Sequence, residues 1–293
     1  VNKGGESFPS EILSALHAYE NKGTVLIVNA FDRTSGPAAF STPTHQGFHM
    51  NLDPGIPYLH TPVYCGAQQN FNRNGIGRET EDGLGYSGSE LEGMLMAGNT
   101  FDYPFVHGKA IQAAGGHSFV SCSDEAIERG FVSMTAFPIV DVIYGAQKQG
   151  FNQSFRQYLT DYTRNGGNLL MSGSYIGSRM NSPTDMQFTE NILKYTFGGS
   201  LQGIATGEVQ GIGTTFTFPT YPNERTYAVP ASDCLMPVGG AYSTLVYTPG
   251  NYSAAIAYKG TDYRTFVLGF PFESIESVDR RIHLMKAILG FFK

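Results

Sequence analysis

The sequence predicts an α/β fold, a doubly wound and mostly parallel sheet with an antiparallel C-terminal extension, and three observations carry that expectation. The first is the run Thr24 to Arg33, TVLIVNAFDR, in which β-branched and apolar residues stop abruptly at an acid and a base. A continuous apolar run of this kind reads as a parallel strand covered on both faces. The second is the alternation of strand-like and helix-like periods that begins at Thr24, the pattern of successive βα units with right-handed crossovers. The third is the change after Ser200, where short alternating runs separated by turn residues replace the helices.

Each element follows from its local pattern. TVLIVNA is the first strand, HGKAIQAAGG a short helix ended by Gly115-Gly116, and HSFVSCS the second strand. Asp124 and Glu125 cap a helix over DEAIERG. VDVIYGA is the third strand. FNQSFRQYLTDYTRNGG is an amphipathic helix with Phe155, Leu159 and Tyr162 on one face and Asn165-Gly166-Gly167 as its stop. NLLMSGS is the fourth strand, and TDMQFTENILKYTFGG reads as a helix that starts after Pro183 with Thr184 as N-cap. GTTFTFP alternates as a strand. SAAIAYK and YRTFVLGFPF then form a hairpin across Gly260-Thr261-Asp262, and the chain closes in a helix from Asp279 to Phe292 with Ile282, Met285, Ile288 and Leu289 facing inward.

These elements imply one α/β domain over residues 23–293, interrupted by an insertion at about 35–98. A connection of about sixty residues is far longer than the ~2–6 usual between a strand and a helix, and connections of that length are normally functional or disordered. Its wealth of Tyr, Phe, His and Asn argues against disorder, so it is expected to fold over the carboxyl end of the sheet as a wall or lid. It offers Tyr58, Tyr64, Gln68, Asn70, Phe71 and Arg73 to a glycan. Residues 1–12 begin VNKGGESFPSE, which resembles the last strand of a fibronectin type III domain and implies a cut from a modular secreted protein, the alternative being a linker or a disordered N-terminal tail.

Composition narrows the partners. Charged residues are 15 % and aromatics 13 %, with 36 Gly and no Trp, a balance that suits an extracellular protein. The formal charge of −6 comes without any Lys/Arg cluster, so a phosphate backbone or an anionic membrane has no basic patch to hold, and nucleic acid is excluded as the main partner. No apolar stretch approaches the ~20 residues of a membrane span. No basic-then-apolar leader is present, so any export signal is expected to be already removed or to lie outside this chain. Of the three cysteines, Cys122 reads as a buried thiol, while Cys65 and Cys234 sit in loop-like contexts and pair if the compartment oxidises. His45, His49, Asp53 and His60 look like a ligand set, but Pro43, Gly47 and Pro54 argue against the helix that would bring the first two together, so no metal is expected. No Walker-type loop or GxGxxG follows the first strand, and no cofactor is expected.

The series VLIVNAFDRTSGPA, CGAQQNFNR, AGNTFDYPFVHGKAI, GGNLLMSGSYIG and AYKGTDYRTFVLGFPFESI resembles a group of secreted Bacteroidetes-type proteins. They are labelled xanthan lyase-like or N-acetylmuramoyl-L-alanine amidase-like. The resemblance implies a class I glutamine amidotransferase-like, flavodoxin-like domain, often preceded by a fibronectin type III module, in a secreted, periplasmic or cell-surface setting. In that fold a nucleophilic Cys occupies a sharp strand-to-helix elbow. The nearest segment here is Ser172-Gly173-Ser174-Tyr175-Ile176-Gly177, which has no Cys.

Ligands of open α/β sheets bind outside the carboxyl ends of the strands, which focuses the search for chemistry. Ser174 is the candidate nucleophile and His107, just ahead of the first predicted helix, the candidate base, with Asp102 or Asp32 as its acid. The alternative for Ser174 is a tight polar turn, and for Asp32 and Arg33 an ion pair that braces the insertion. Candidate substrate-binding groups are Arg33, Asn29, Gln68, Asn70, Arg73, Asn99, Tyr103, Gln147 and Tyr175. Two function classes follow. One is a secreted hydrolase of an ester or amide bond in a glycan or peptidoglycan. The other is a non-catalytic module that binds carbohydrate or packs against neighbouring domains of a larger polysaccharide-processing protein.

Overall fold

The computed structural model describes residues 13–30, 33–35, 39–44, 46–48, 68–70, 103–145, 152–201, 206–220, 229 and 231–293. The chain divides into two compact units. The first comprises Val1–Glu11, Asp32–Phe101 and Pro219–Pro230. Its described elements are short antiparallel pairs: β2 (Arg33–Ser35) with β5 (Gln68–Asn70), and β3 (Ala39–Ser41) with β4 (Gln46–Phe48). The predicted fibronectin-like remnant and most of the predicted insertion lie outside the described residues.

The second unit is a mixed α/β structure on a largely parallel central sheet. Its strands are β1 (Thr24–Asn29), β6 (Ser118–Ser123), β7 (Ile139–Gly145), β8 (Asn168–Gly173), β9 (Tyr195–Ser200), β10 (Glu208–Gly211), β11 (Thr214–Thr217), β12 (Asp233–Pro237), β13 (Tyr242–Thr248), β14 (Tyr252–Lys259) and β15 (Arg264–Leu268). Nine of them form one sheet in the order β11-β10-β13-β14-β15-β8-β7-β1-β6. β6, β1, β7, β8 and β15 run parallel, and β14, β13, β10 and β11 continue the sheet antiparallel. β9 and β12 stand apart as a two-stranded ribbon. Counted along the chain, the parallel strands lie in space as second, first, third, fourth, fifth.

The parallel strands are buried on both faces, as their apolar runs require: every residue of β7 is buried, including Asp141. On one face Leu26, Val28, Val140, Val142, Leu169 and Met171 share a core with Phe155 and Leu159 of α3 (Gln153–Arg164), Ile127 of α2 (Asp124–Glu128) and Phe188 of α4 (Pro183–Phe188). On the other lie α1 (Tyr103–Ala114) and α5 (Val278–Phe291), packed against each other. α3 is capped by Asn152, whose side chain accepts from Ser154 N at 3.0 Å, and buries Phe155, Leu159 and Tyr162 as its periodicity predicts. An aromatic cluster of Phe216, Phe218, Tyr247 and Phe270 fills the space under the antiparallel strands.

Several boundaries differ from expectation, each for a local reason. α1 starts at Tyr103, so His107 lies inside the helix rather than ahead of it. The N-cap of α4 is Ser182, whose hydroxyl accepts from Asp185 N at 3.1 Å, with Pro183 as the first helical residue. The helix predicted through Gly199 ends at Lys194, which turns left-handed at φ 68°, and Tyr195 onward is β9. α2 is preceded by Ser123, which makes no side-chain capping bond. Ile282 is half-buried, while Met285, Ile288 and Leu289 face inward. Cys122 is buried in β6. Cys234 is a buried free thiol, and its predicted partner Cys65 lies outside the described residues.

Candidate functional site

Three parallel strands end side by side. Asn29 of β1 is in register with Ile143 of β7, and Ile143 with Ser172 of β8. The strand order reverses between β1 and β7, and open α/β sheets bind ligands in the crevice at such a reversal. The groups here are polar and buried: Asn29, Ser172 and Ser174 are exposed by 1 % or less. Among the described residues, neither amide atom of Asn29, nor the hydroxyl oxygen of Ser172 or Ser174, has a hydrogen-bond partner. Native proteins leave few buried polar groups unpaired, so four such atoms at one sheet end mark the place.

Beyond β8 the chain turns sharply. Ser174 N donates to Gly145 O at 2.7 Å, and the next residue, Tyr175, takes φ 57°. A bulky side chain in the left-handed region is uncommon and strained. The flanking glycines let the turn pack closely against its neighbours. A Cβ on Gly173 would lie 2.8 Å from Tyr144 Cβ, and one on Gly177 2.7 Å from Phe197 Cδ2. The spacing is therefore Gly-x-Tyr-x-Gly, with Tyr175 at the apex and Ser174 one residue short of it. In nucleophile elbows the strained apex residue carries the reacting atom. Tyr175 is buried, its ring facing the Arg179 guanidinium at 5.9 Å.

Asp233 of β12 locks the turn. Its Oδ2 accepts from Gly177 N at 3.0 Å, Ser178 N at 2.7 Å and Ser178 Oγ at 2.9 Å, and Tyr195 OH donates to Ile176 O at 2.6 Å. Burial pushes the Asp233 carboxyl above its ordinary range, while the bonds from Ser178 and Gly177 pull it back. Backbone N–H groups at the head of a turn are the donors an oxyanion would need. Here the protein's own carboxylate holds two of them.

His107 is fully buried. Its Nδ1 lies 2.7 Å from Asp141 Oδ2 and its Nε2 3.2 Å from Glu273 Oε2, and its ring meets Phe272 edge-on at 4.7 Å. Burial alone would lower the imidazole pKa. The attraction and hydrogen bond of Asp141, and then those of Glu273, outweigh it and raise the value to about 9. At neutral pH both nitrogens carry protons and both donate to carboxylates, so no lone pair remains to accept a proton from a hydroxyl. The hydrogen bond expected between Ser174 and His107 is not formed. His107 instead ties α1 to the central strand β7 and to the turn after β15.

The other candidates divide by position. Arg33 and Asn70 are in register across the β2–β5 pair, and Gln68 pairs with Ser35 there. Tyr103 opens α1 and is buried. Asp32, Arg73, Asn99, Asp102 and Gln147 lie outside the described residues, as do His45, His49, Asp53 and His60. Among the described residues no group of His, Cys, Asp and Glu is placed to hold a metal ion, and no helix is long and apolar enough to cross a membrane. Asp141, Glu273 and Asp233 were not singled out from sequence. Asp141 and Glu273 carried a signal nonetheless, since a lone acid within IVDVIYG or FPFES must find a partner once buried.

No protein-family model matches the chain, and no curated protein matches it. Among solved structures, a cytoplasmic protein from Salmonella typhimurium LT2 is similar over 92 % of this chain and all of its own, at 7 % identity and TM-score 0.48. A ThuA-like protein from Bacteroides uniformis is similar over 66 % of this chain and 83 % of its own, at 11 % identity and TM-score 0.42. A β-galactosidase from Halorubrum lacusprofundi aligns at 13 % identity and TM-score 0.45 over 66 % of this chain. The chain spans about a quarter of that enzyme's length, 26 %.

Proposed function

We propose that this domain is a non-catalytic, carbohydrate-binding module of a larger secreted polysaccharide-processing protein, related to the xanthan lyase-like and amidase-like group that its sequence resembles. In this reading the fold is flavodoxin-like and of the class I glutamine amidotransferase kind, which the 2-1-3-4-5 order of the parallel strands supports. The observation that carries the reading is the elbow. Its apex is Tyr175, the adjacent Ser174 has no base among the described residues, and the expected base, His107, is bonded through both ring nitrogens to two acids that raise its pKa. Acyl transfer needs a hydroxyl or thiol with a base in hydrogen-bond reach, so this geometry favours the module over the hydrolase. Exposed tyrosines on the antiparallel strands, Tyr242 and Tyr252, and a surface rich in hydroxyl and amide groups suit a sugar-binding role. The test pairs a glycan array with a turnover screen on ester and amide substrates. The expected result is binding without turnover. Turnover abolished by Ser174→Ala would overturn the reading.

A further inference from the structure

The antiparallel half of the sheet carries a second site, away from the strand ends. Gln210 of β10 is in register with Thr215 of β11 on one side and Val246 of β13 on the other, so the three share one face of the sheet. They floor a cleft of about 510 Å³ whose lining also includes Ser243, Thr244 and Arg280. That volume falls within the range of small-ligand sites.

The wall is set by α5. His283 Nε2 lies 3.0 Å from Ile212 O, at the tip of the β10–β11 hairpin, and Arg280 Nη1 donates to Thr214 Oγ1 at 3.1 Å. The hairpin turn has positive φ at both Ile212 (51°) and Gly213 (69°), the backbone of a tight two-residue turn. Gly211 lies so close to β13 that a Cβ there would meet Thr244 O at 2.3 Å. These contacts hold the floor and the guanidinium in fixed relation.

The charges are separated along the cleft. The carboxylates nearest in the ladder are already engaged at its other end, Glu208 by the Thr248 hydroxyl and Glu276 by the Thr217 hydroxyl at 2.6 Å, where Glu208 and Thr217 pair. Among the described residues Arg280 forms no ion pair with a carboxylate, and it spends one donor on a neutral hydroxyl. A guanidinium presents five donors in a planar fork that matches a carboxylate. The Gln210 amide and the Thr215 hydroxyl make no hydrogen bond among the described residues, which leaves them to sugar hydroxyls.

Resting on the carbohydrate-binding reading, we infer that this cleft is a subsite for an acidic sugar, a hexuronate residue of a glycan. Its carboxylate sits on Arg280, and its ring hydroxyls face Gln210 and Thr215, with the Thr244 hydroxyl, which donates to Ala255 O at 3.3 Å, left to accept from a sugar hydroxyl. The test is an amide-resolved NMR titration of the full chain with a glucuronate-containing oligosaccharide, its neutral glucose counterpart and inorganic sulfate, repeated for Arg280→Gln and Arg280→Lys. The inference expects glucuronate to shift the amides of Gln210, Thr215 and Thr244. Arg280→Gln weakens that binding at least tenfold, to the level of the neutral sugar, and Arg280→Lys weakens it less. Unchanged amide spectra away from the cleft show that the variants fold. If the glycan binds but Arg280→Gln leaves its affinity intact, the subsite is overturned and the module reading stands. If sulfate binds as tightly as glucuronate, the uronate assignment is overturned in favour of a general anion site. If no glycan binds at all, the module reading falls and this inference with it.

Discussion

The buried His107 ion cluster makes stability depend on alkaline pH, and Asp141→Asn is the perturbation that isolates it. The imidazole pKa is raised from 6.5 to about 9 in the folded chain. The folded state therefore holds this proton more tightly than the unfolded state. The resulting stabilisation is fully present below the unfolded value and is lost as pH rises toward 9. A difference of about 2.5 pKa units corresponds to about 3 kcal/mol at ~1.4 kcal/mol per unit. His107 is fully buried, so solvent does not screen the interaction. For a chain of this size the loss amounts to a fall in Tm on the order of 5–10 °C.

The assay is thermal unfolding by near-UV circular dichroism from pH 6 to 9.5. Wild type should lose most of that stability between pH 6.5 and 9. Asp141→Asn keeps the shape and an acceptor for Nδ1–H but removes the larger of the two attractions that hold the proton. It should be less stable at pH 6.5 by about 1–3 kcal/mol and nearly flat over the same window. Equal slopes for wild type and variant across pH 6.5–9 would refute the assignment, because the titrating group would then lie elsewhere.

Other substitutions probe other parts of the structure. Ser174→Ala removes a buried hydroxyl that has no partner among the described residues, so urea denaturation should find it neutral or stabilised by up to about 1 kcal/mol, where a loss above that would mean Ser174 is bonded. Leu159→Ala on α3 opens a cavity in the core beside β7 and β8 and should cost about 2–5 kcal/mol, read from the denaturation midpoint at unchanged m-value. Gly269→Ala drives a Cβ to 2.3 Å from Asp233 O, where Tyr247 OH also bonds Asp233 O and Gly269 O, and should lower Tm by more than the leucine truncation of an exposed site such as Leu13→Ala.

How far the fold could be read ahead depended on how each element is stabilised. β1, β7 and β8 were legible because strands covered on both faces must be apolar throughout, and α3 because its buried face repeats every three to four residues. β9 was hidden because Lys194 ends the preceding helix in a left-handed conformation that sequences usually mark with Gly or Asn. Of the candidate site, Asn29 and the SGSYIG turn lie at the ends of β1 and β8, and the strained residue of that turn is Tyr175, one beyond Ser174. Ser174 drew attention by its hydroxyl, while the Gly173-x-Tyr175-x-Gly177 spacing that places the strained residue was already present in the sequence. The acids expected beside His107, Asp102 and Asp32, lie outside the described residues; the two it bonds, Asp141 and Glu273, were not legible because they lie 34 and 166 residues from it in sequence and only tertiary packing brings them together.

The elbow itself allows a sharper separation of architecture from chemistry. If, on the non-catalytic reading proposed above, the lack of a thiol at the apex were all that kept this turn from acyl transfer, Tyr175→Cys would supply it at the strained position. Three observations argue otherwise. His107 is committed to Asp141 and Glu273 and is protonated at neutral pH. The N–H groups of Gly177 and Ser178 are held by Asp233, so two donors at the turn are closed to a developing oxyanion. With the His107 imidazole committed to Asp141 and Glu273, and no other near the turn among the described residues, the new thiol should be poorly ionised at neutral pH and react slowly. Tyr175→Cys should therefore consume at most one equivalent of p-nitrophenyl acetate and then stop, with no steady-state release after the burst. Sustained turnover in the variant would show that a base and an oxyanion site stand ready at the elbow, and the non-catalytic reading would fail at its own strongest point.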